Sequence, residues 1–340
     1  MTASDHQAPI AVLGAGSWGF AIARLLADEG KAVRLWEFDP EAADQILRTR
    51  TIPDKLPDIE LPDSVKATND LTEAVTDAAT IVFVTPSSAI RPTAKLLRGQ
   101  VESGSLILSL AKGTDIETGE RMTEIIETEL GVGPVVALMG PSHAEEVARG
   151  IPTAVVAACT KMSAAERAQE VFSTLSFRVY TSNDPIGVEI GAAMKNIVAI
   201  AAGIVDGLGY ASADNLKGAL ITRGLAEIAR LGVKMGADPE TFAGLSGVGD
   251  LITTCLSKHS RNRHVGEQIG RGKSLEEILA SMTMVAEGVN TTKAAVNLAR
   301  RFEVDMPIAQ AVWEVLFNGR PPGEALAELM SRTPKPEIRR

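Results

Sequence analysis

The sequence predicts an α/β doubly wound sheet over residues 1–184, followed by an all-α domain over residues 185–340. Short apolar and β-branched runs alternate with helical patterns in the first part, which is typical of a parallel sheet flanked by helices. From about Asp184 onward only helical periodicity continues. The length of 340 residues also favours two domains, since a domain has about 150 residues on average.

The composition argues against several classes of protein. With 45% apolar and 23% charged residues, the chain is typical of an ordinary globular protein. The net charge of −9 argues against a nucleic-acid partner, although it is compatible with a local basic pocket for a small anion. The first residues lack the basic start and apolar core of an export signal, and no apolar run is long enough to predict a membrane span. The cytoplasm is therefore the expected location. Cys159 and Cys255 lie far apart without histidines at ligand spacing, and we therefore expect neither a metal site nor a disulfide.

The first motif lies near the start of the chain. An apolar run at 10–13 is followed by the glycine-rich turn GAGSWG at 14–19 and by an amphipathic helical pattern. This order is typical of a Rossmann-type domain that binds a dinucleotide at the helix N-terminus. We expect Gly14 to form the turn, Gly16 to admit the pyrophosphate and Gly19 to pack the helix on the strand. A chance glycine turn in another α/β domain is the alternative interpretation.

A second predicted strand, at 32–36, ends in Glu37-Phe38-Asp39. An acid about 20 residues after the glycine turn accepts hydrogen bonds from the adenosine ribose, and Glu37 is the candidate for this role. Asp39 precedes Pro40 and is interpreted as a helix cap. Further strands are predicted at 80–85, 106–109, 135–139 and 153–158.

The loops of this part supply two more candidate residues. Residues just past the carboxyl ends of the strands line the ligand crevice of a doubly wound sheet, which makes Lys112 and Ser142 candidates by position. The segment 51–69 contains three prolines, and we predict an irregular surface excursion to which no chemistry is assigned.

In the second part, Lys195 and Asn196 interrupt a long apolar run at 192–204. Burying an ammonium group costs roughly several kcal/mol, so such a lysine is paired, extends to solvent or is kept partly neutral for chemistry. A lysine at the helix edge that reaches solvent is the structural alternative. Helices are predicted near 187–207, 214–235, 239–244, 261–271, 274–281, 287–303, 307–318 and 322–331.

Two further segments carry candidate residues. At 245–252 a glycine-rich turn leads to Asp250, which has an N-cap as its structural interpretation. At 257–264 the cations lie where the next helix begins, and helix N-terminal amides together with Arg261 would bind a phosphate. A solvated basic face is the alternative interpretation of this second segment.

Six motifs, in this order, resemble those of the bacterial NAD(P)-dependent sn-glycerol-3-phosphate dehydrogenase family. They are GAGSWG at 14–19, LAKG at 110–113, GPSHAEEVARG at 140–150, AAMKN at 192–196, GVGDL at 247–251 and SRNR at 260–263. The resemblance implies a reversible hydride transfer between NAD(P)H and C2 of dihydroxyacetone phosphate, which gives sn-glycerol 3-phosphate for glycerophospholipid synthesis. It also implies a homodimer.

The resemblance implies roles for individual residues. Lys195 corresponds to the residue that accepts the proton in glycerol phosphate oxidation and donates it in ketone reduction. The family's substrate positions match Lys112, Gly140, Ser142, Lys195, Asp250, Ser260, Arg261 and Asn262. Its cofactor positions match Ser17, Trp18, Phe38, Lys112, Ala144, Arg261, Val285 and Glu287.

The expected chemistry agrees with these roles. Hydride delivery to a ketone builds negative charge on its oxygen, which requires a proton donor and a nearby cation. Lys195 and Lys112 fit these two roles. Two close ammonium groups would lower each other's pKa and bring that of the proton-transferring lysine nearer to neutrality, while Asp250 orients the pair.

Two alternative functions stay open at this point. A dehydrogenase of the β-hydroxyacid or 6-phosphogluconate type also joins this nucleotide domain to helices around a lysine and an asparagine, and its substrates would separate it from the first interpretation. A non-catalytic nucleotide-sensing module would bind the cofactor without hydride transfer.

The position of Phe38 departs from the more common pattern of the resembling family. Many members have a histidine or arginine there, which suits the 2′-phosphate of NADPH. The acid at Glu37 suits the ribose hydroxyls of NAD and would repel a 2′-phosphate. Arg34, Arg48 and Arg50 are the remaining cations near this strand end. We therefore expect NADH to be used at least as well as NADPH.

Overall fold

A computed structural model describes residues 8–282, 284–334 and 336–337. Its main feature is an eight-stranded sheet in the order β10-β9-β8-β7-β6-β1-β2-β5, parallel except between β8 and β9. The fold class predicted from the sequence is thereby confirmed. The strands are β1 (Ile10–Leu13), β2 (Val33–Trp36), β3 (Thr51–Ile52), β4 (Leu56–Glu60), β5 (Val65–Thr68), β6 (Thr80–Phe83), β7 (Leu106–Ser109), β8 (Val135–Met139), β9 (Thr153–Ala158) and β10 (Phe177–Ser182).

Helices cover both faces of the sheet. The central strands β1, β6, β7 and β8 are buried on both faces, as their uninterrupted apolar sequences require. One apolar core includes Phe20, Ile22 and Leu26, and the opposite core includes Ile90 and Ile125. The helices of this part are α1 (Ser17–Asp28), α2 (Pro40–Thr49), α3 (Leu71–Val75), α4 (Ser87–Leu96), α5 (Met122–Leu130), α6 (Ala144–Val147) and α7 (Met162–Phe172).

The prediction for segment 51–69 is wrong. It forms the antiparallel hairpin β3–β4 and the edge strand β5, which pairs with β2 in parallel. Leu56, Ile59 and Val65 are buried in the sheet core. Pro57 is tolerated because it is exposed on a two-stranded hairpin rather than in a central strand.

The strand β10 was also missed by the sequence prediction. Its burial alternates, with Phe177 and Val179 facing the core and Arg178 and Tyr180 exposed. This alternation is typical of an edge strand with one solvated face, and such a strand lacks the continuous apolar run used to predict the others.

Every described element after β10 is helical. The elements are α8 (Pro185–Gly207), α9 (Asp214–Lys234), α10 (Asp250–Leu256), α11 (Arg261–Gly270), α12 (Leu275–Ala280), α13 (Glu287–Arg301), α14 (Pro307–Phe317) and α15 (Pro322–Ser331). The predicted helices are found with bounds shifted by a few residues, except that 239–243 is a 3₁₀-helix and α10 was not predicted.

The central helix α8 is almost entirely buried, and α9, α10, α11 and α13 pack around it. Among the described residues it is the one helix long and apolar enough to cross a membrane, and its whole apolar window is buried inside the protein. An internal position also explains its sequence, because a core helix is apolar on all sides.

Glycines bring α8 and α11 into direct backbone contact. A Cβ atom at Gly203 would overlap the Arg263 carbonyl oxygen, and one at Gly266 would overlap the Ile200 carbonyl oxygen. Gly207 and Gly270 extend the same contact by one turn on each helix. The separation of these two helices is therefore set by their backbones.

Candidate active site

The glycine turn between β1 and α1 has the geometry that a dinucleotide pyrophosphate needs. Gly14 has a φ of 115°, and a Cβ atom there would lie 3.0 Å from the Thr85 amide nitrogen. A Cβ atom at Gly19 would overlap the Gly14 carbonyl oxygen, whereas one at Gly16 would meet nothing within 4 Å. Gly16 therefore leaves open space at the N-terminus of α1, where amides favour an anion.

A segment of the helical part extends to this crevice. The Ser17 hydroxyl donates to the Met284 sulfur at 3.4 Å, next to Val285. Glu287 accepts hydrogen bonds from the Ser87 amide at 3.1 Å and from its hydroxyl at 2.6 Å. The nucleotide crevice is thus bordered by both parts of the chain.

Two more predicted cofactor residues lie near the crevice. Trp18 is half-buried, and its buried Nε1 has no hydrogen-bond partner among the described residues. Ala144 is buried in the first turn of α6. An orphaned donor beside the open glycine turn fits a nucleotide-binding crevice.

At the carboxyl end of β2, Phe38 is 79% exposed and its ring contacts that of Trp36. Glu37 accepts a hydrogen bond from the Asp39 amide at 3.3 Å. The Asp39 carboxylate accepts from the Glu41 amide at the start of α2, which confirms the predicted helix cap.

The arginines near this strand end bind other groups. Arg34 donates to the carbonyls of Glu73 and Thr76 at the end of α3. Arg50 donates to the Pro62 carbonyl at 2.7 Å and pairs with Asp63, while Arg48 donates to the Asp44 carbonyl at 3.3 Å. Each of the three has a partner that competes with a 2′-phosphate.

The centre of the site is a carboxylate between two lysines. Asp250, which is 2% exposed, pairs with Lys112 at 3.0 Å through Oδ2 and with Lys195 through Oδ1. The Lys195 ammonium also donates to the Thr254 hydroxyl at 2.7 Å. Lys195 is therefore a paired, buried lysine that does not extend to solvent, and Asp250 is the first residue of α10 and not its N-cap.

Lys112 connects this centre to the sheet. It lies on the loop after β7 and donates to the Gly140 carbonyl at 2.8 Å and to the Ser142 hydroxyl at 3.3 Å, on the loop after β8. Gly140 has a φ of 144°, and a Cβ atom there would lie 2.9 Å from the Val155 Cα. Lys112 and Ser142, the two residues predicted from strand ends, thus lie together with Gly140, which the family resemblance implied.

Burial changes the protonation of this centre. Burial, reinforced by the Lys112 ammonium and opposed by the Asp250 carboxylate, lowers the pKa of Lys195 to about 7. Burial alone would raise the pKa of Asp250, but the two ammonium groups hold it below its ordinary value. The predicted direction for Lys195 is confirmed, although burial contributes more than the second lysine.

A π-helical turn at Leu245–Gly249 positions Asp250. Gly191 of α8 allows this turn to approach, since a Cβ atom there would lie 2.7 Å from the Ser246 carbonyl oxygen. The predicted glycine-rich turn is therefore a tight helical turn that leads into α10, and turns of this kind are frequent at functional sites.

The N-terminus of α11 lies next to the lysine centre. Ser260 caps this helix by accepting from the Arg263 amide at 3.2 Å, and the exposed Arg261 donates to the Val285 carbonyl at 2.9 Å. Asn262 donates to the Asn196 side chain at 2.9 Å and accepts from the Gly288 amide at 2.9 Å. Asn196 follows Lys195 on α8, so this side-chain hydrogen bond joins the start of α11 to the part of α8 that carries Lys195.

Sequence reasoning missed Thr254 as a partner of Lys195. Thr254 lies four residues after Asp250 on α10, and its hydroxyl also donates to the Asp250 carbonyl at 2.7 Å. A spacing of four residues places two side chains next to each other only on a helix, and α10 was not predicted.

The described residues contain no group of three or more histidine, cysteine or carboxylate side chains arranged to hold a metal ion. Cys159 and Cys255 are both buried and free.

A dinucleotide crevice that opens onto a buried lysine–carboxylate centre is typical of a nicotinamide-dependent dehydrogenase. The profile of the NAD-dependent glycerol-3-phosphate dehydrogenase N-terminus matches residues 9–165, and that of its C-terminus matches residues 184–327. The chain therefore belongs to the NAD-dependent glycerol-3-phosphate dehydrogenase family and is an NAD(P)-dependent oxidoreductase.

Individual relatives agree with this family. Proteins named glycerol-3-phosphate dehydrogenase (NAD(P)+) from Prosthecochloris aestuarii and Chlorobium limicola are 53% and 52% identical to this chain. Both alignments cover 97% of this chain and 99% of the relative. The crystal structure of glycerol-3-phosphate dehydrogenase from Coxiella burnetii is 36% identical, with a TM-score of 0.92 over 96% of this chain and 100% of that chain.

Proposed function

We propose that the protein reduces the C2 ketone of dihydroxyacetone phosphate to sn-glycerol 3-phosphate, reversibly and with NAD(P)H. The observation that carries this proposal is Asp250 bridging Lys195 and Lys112 beside the nucleotide crevice. The nicotinamide supplies the hydride when it is bound, and the protein must stabilise the oxygen that becomes an alcohol.

The lysine centre would carry the proton transfer. In ketone reduction Lys195 donates its proton to the C2 oxygen, and in the reverse direction the neutral amine accepts it. Lys112 stabilises the developing negative charge as a cation, and Asp250 keeps both ammonium groups oriented. These roles are supported by the burial of Lys195 and Asp250, since a water-excluding site strengthens each charge interaction.

The substrate phosphate would bind at the start of α11. The helix N-terminal amides, the Arg261 guanidinium and the neighbouring Ser260 and Asn262 provide donors and positive charge. Gly140 and Ser142 would border the opposite end of the substrate next to Lys112.

The substrate assay is the first test. We expect oxidation of NADH or NADPH with dihydroxyacetone phosphate, and slower or no turnover with β-hydroxyacids and 6-phosphogluconate. Cofactor binding without turnover on any of these substrates would instead support a nucleotide-sensing module.

The pH dependence follows from the lowered pKa of Lys195, about 7. Ketone reduction needs the ammonium form, so kcat/KM for dihydroxyacetone phosphate is expected to fall as the pH rises through about 7. Glycerol phosphate oxidation needs the neutral amine, and its kcat/KM is expected to rise over the same range. Initial rates in both directions between about pH 5.5 and about pH 9 test this prediction. It would be contradicted if kcat/KM changed in the same direction with pH for reduction and for oxidation.

We also propose that NADH is used at least as well as NADPH. Glu37 disfavours a 2′-phosphate, with an expected cost of about 1–4 kcal/mol per close like-charge pair, and the three nearby arginines have partners elsewhere.

The coenzyme prediction is tested by the double variant Glu37→Ser/Phe38→Arg. Since it removes the acid and adds a cation, the ratio of kcat/KM for NADPH to that for NADH should rise at least about tenfold, the equivalent of about 1.4 kcal/mol. Asp39→Asn is a matched control, because Asp39 caps α2 with its own carboxylate, and it should leave the ratio near the parent value. A parent that prefers NADPH more than about tenfold, or an unmoved ratio in the double variant, would show that another part of the crevice reads the 2′ position.

Three further assignments complete the proposal. Residues 1–184 form the nucleotide-binding domain, and residues 185–340 form the catalytic domain. The protein is proposed to be a cytoplasmic homodimer that binds its coenzyme and a small phosphorylated substrate. Sedimentation of the purified protein tests the dimer.

A further inference from the structure

The catalytic helix α8 is packed in two different environments along its length. Near its start, Val188 and Ala192 pack against Ala137 and Met139 of the sheet strand β8. Farther along, the helix lies in the core of the helical part, which includes Met194 and Ile197. Lys195 therefore lies where the helix passes from one part to the other.

A buried glutamate joins the sheet-facing half of α8 to the start of α5. Glu189 is 1% exposed, and its carboxylate pairs with the Arg121 guanidinium. It also accepts hydrogen bonds from the Thr123 amide at 3.0 Å and from the Thr123 hydroxyl at 2.6 Å. These contacts satisfy the charge and the acceptors of a carboxylate that would otherwise be costly to bury.

One partner of Glu189, Arg121, ends the loop that carries the second lysine, and the other, Thr123, lies in the first turn of α5. Arg121 forms an isolated backbone bridge with Thr114, two residues after Lys112. Glu189 itself is six residues before Lys195, about 9 Å along the helix axis. One carboxylate thus connects the loop of Lys112 to the helix of Lys195, without contacting either lysine.

We propose that Glu189 is a positioning residue that holds the Lys112 loop and the Lys195 helix in register, so that both ammonium groups meet Asp250 and face the same substrate oxygen. The inference rests on the proposed ketone reduction. Alignment of this kind matters because a displacement of about 1 Å at a reacting centre costs up to about 10²-fold in rate.

The chain contains a matched control for this proposal. Glu227 is also a buried carboxylate, 4% exposed, and accepts backbone hydrogen bonds from Ile308 and Ala309 at the start of α14. Both glutamates therefore bind a helix start, but Glu227 connects two helices of the helical part only. A purely structural role for Glu189 predicts the same behaviour for both residues.

The experiment compares Glu189→Leu, Glu189→Gln and Glu227→Leu in the full-length protein. The measurements are the thermal midpoint, coenzyme Kd by fluorescence, kcat with dihydroxyacetone phosphate, and the primary isotope effect with NADH deuterated at C4. Both leucine variants should lose stability. Only Glu189→Leu should lose kcat, by about 10–100-fold, with a larger isotope effect and a coenzyme Kd within about twofold of the parent value.

Glu189→Gln keeps an acceptor for the Thr123 amide but loses the charge that pairs with Arg121, so we expect a smaller loss, about 3–10-fold in kcat. A folded Glu189→Leu with kcat within about twofold of the parent, like Glu227→Leu, overturns the proposal. If Glu189→Leu does not fold, an unchanged kcat and isotope effect in Glu189→Gln overturn it. A parent without activity on dihydroxyacetone phosphate refutes the proposed function and this inference together, whereas an active parent with unaffected variants refutes the inference alone.

Discussion

Replacing Lys195 by methionine is expected to lower kcat by about 10²–10⁴-fold, the usual range for a lost general acid. Methionine keeps the length and apolar stem of the side chain but removes the proton and the charge. Removal of one buried ammonium leaves Asp250 paired with Lys112, so the protein should still fold. Initial rates with saturating dihydroxyacetone phosphate and coenzyme give the measurement, and fluorescence titration should give a coenzyme Kd near the parent value.

Lys31→Met is the matched control for this variant. Lys31 is partly buried, burial lowers its pKa, and its ammonium donates to the Val171 carbonyl at the end of α7, a helix that carries none of the candidate site residues. Its replacement should leave kcat within about twofold of the parent value. A folded Lys195→Met enzyme with more than about a third of the parent turnover would mean that Lys195 is a structural lysine.

The second large effect is expected for Asp250→Asn, which leaves two ammonium groups facing each other without a counter-charge. Breaking a buried ion pair costs about 3–5 kcal/mol of stability, and kcat should fall by about 10²-fold or more because the lysines lose their orientation. Since the Asp250 carboxylate opposes the lowering of the Lys195 pKa, the limb of the pH profile should also move to lower pH. Thermal unfolding and pH-rate profiles give the measurements.

Asp206→Asn is the control variant, since it shows whether removing another carboxylate that lies between two cations has the same effect. Asp206 also lies between two cations, Lys217 at 2.9 Å and Arg263 at 2.7 Å. Its replacement should lower stability without moving the pH limb of ketone reduction. If the fall in kcat/KM of ketone reduction occurs at the same pH in Asp250→Asn as in the parent, the proposed effect of the Asp250 carboxylate on the Lys195 pKa is contradicted.

The sequence supports accurate prediction where structure follows from adjacent residues. The turn at 14–19 needs glycine for its backbone angles and its close packing, so its motif, its strand and its helix were predicted together. Asp39 before Pro40 likewise identified a helix start. Such features depend on local geometry and leave a short pattern in the chain.

Features that depend on distant residues were harder to predict. The prolines in 51–69 obscured β5, because its strand character comes from pairing with β2 and from burial of Val65 in the sheet core. Lys195 in its apolar helix was compatible with a paired or a solvent-reaching side chain until Asp250, 55 positions away, was placed beside it. The Glu189–Arg121 pair left no pattern at all, since its partners are 68 positions apart.

The backbone contact between α8 and α11 has a consequence for the size of molecule that the protein accepts. Lys195 lies on α8 and the proposed phosphate-binding residues lie at the start of α11. In the proposed substrate complex, the backbone contact at Gly203, Gly207, Gly266 and Gly270 would therefore set the distance from the reacting carbon to the phosphorus. The distance between two helices in direct backbone contact is fixed, whereas side chains that line a cavity can change rotamer to fit longer ligands. Substitutions of lining residues alone should therefore not extend the reaction to longer sugar phosphates, because these would require the two helices to move apart.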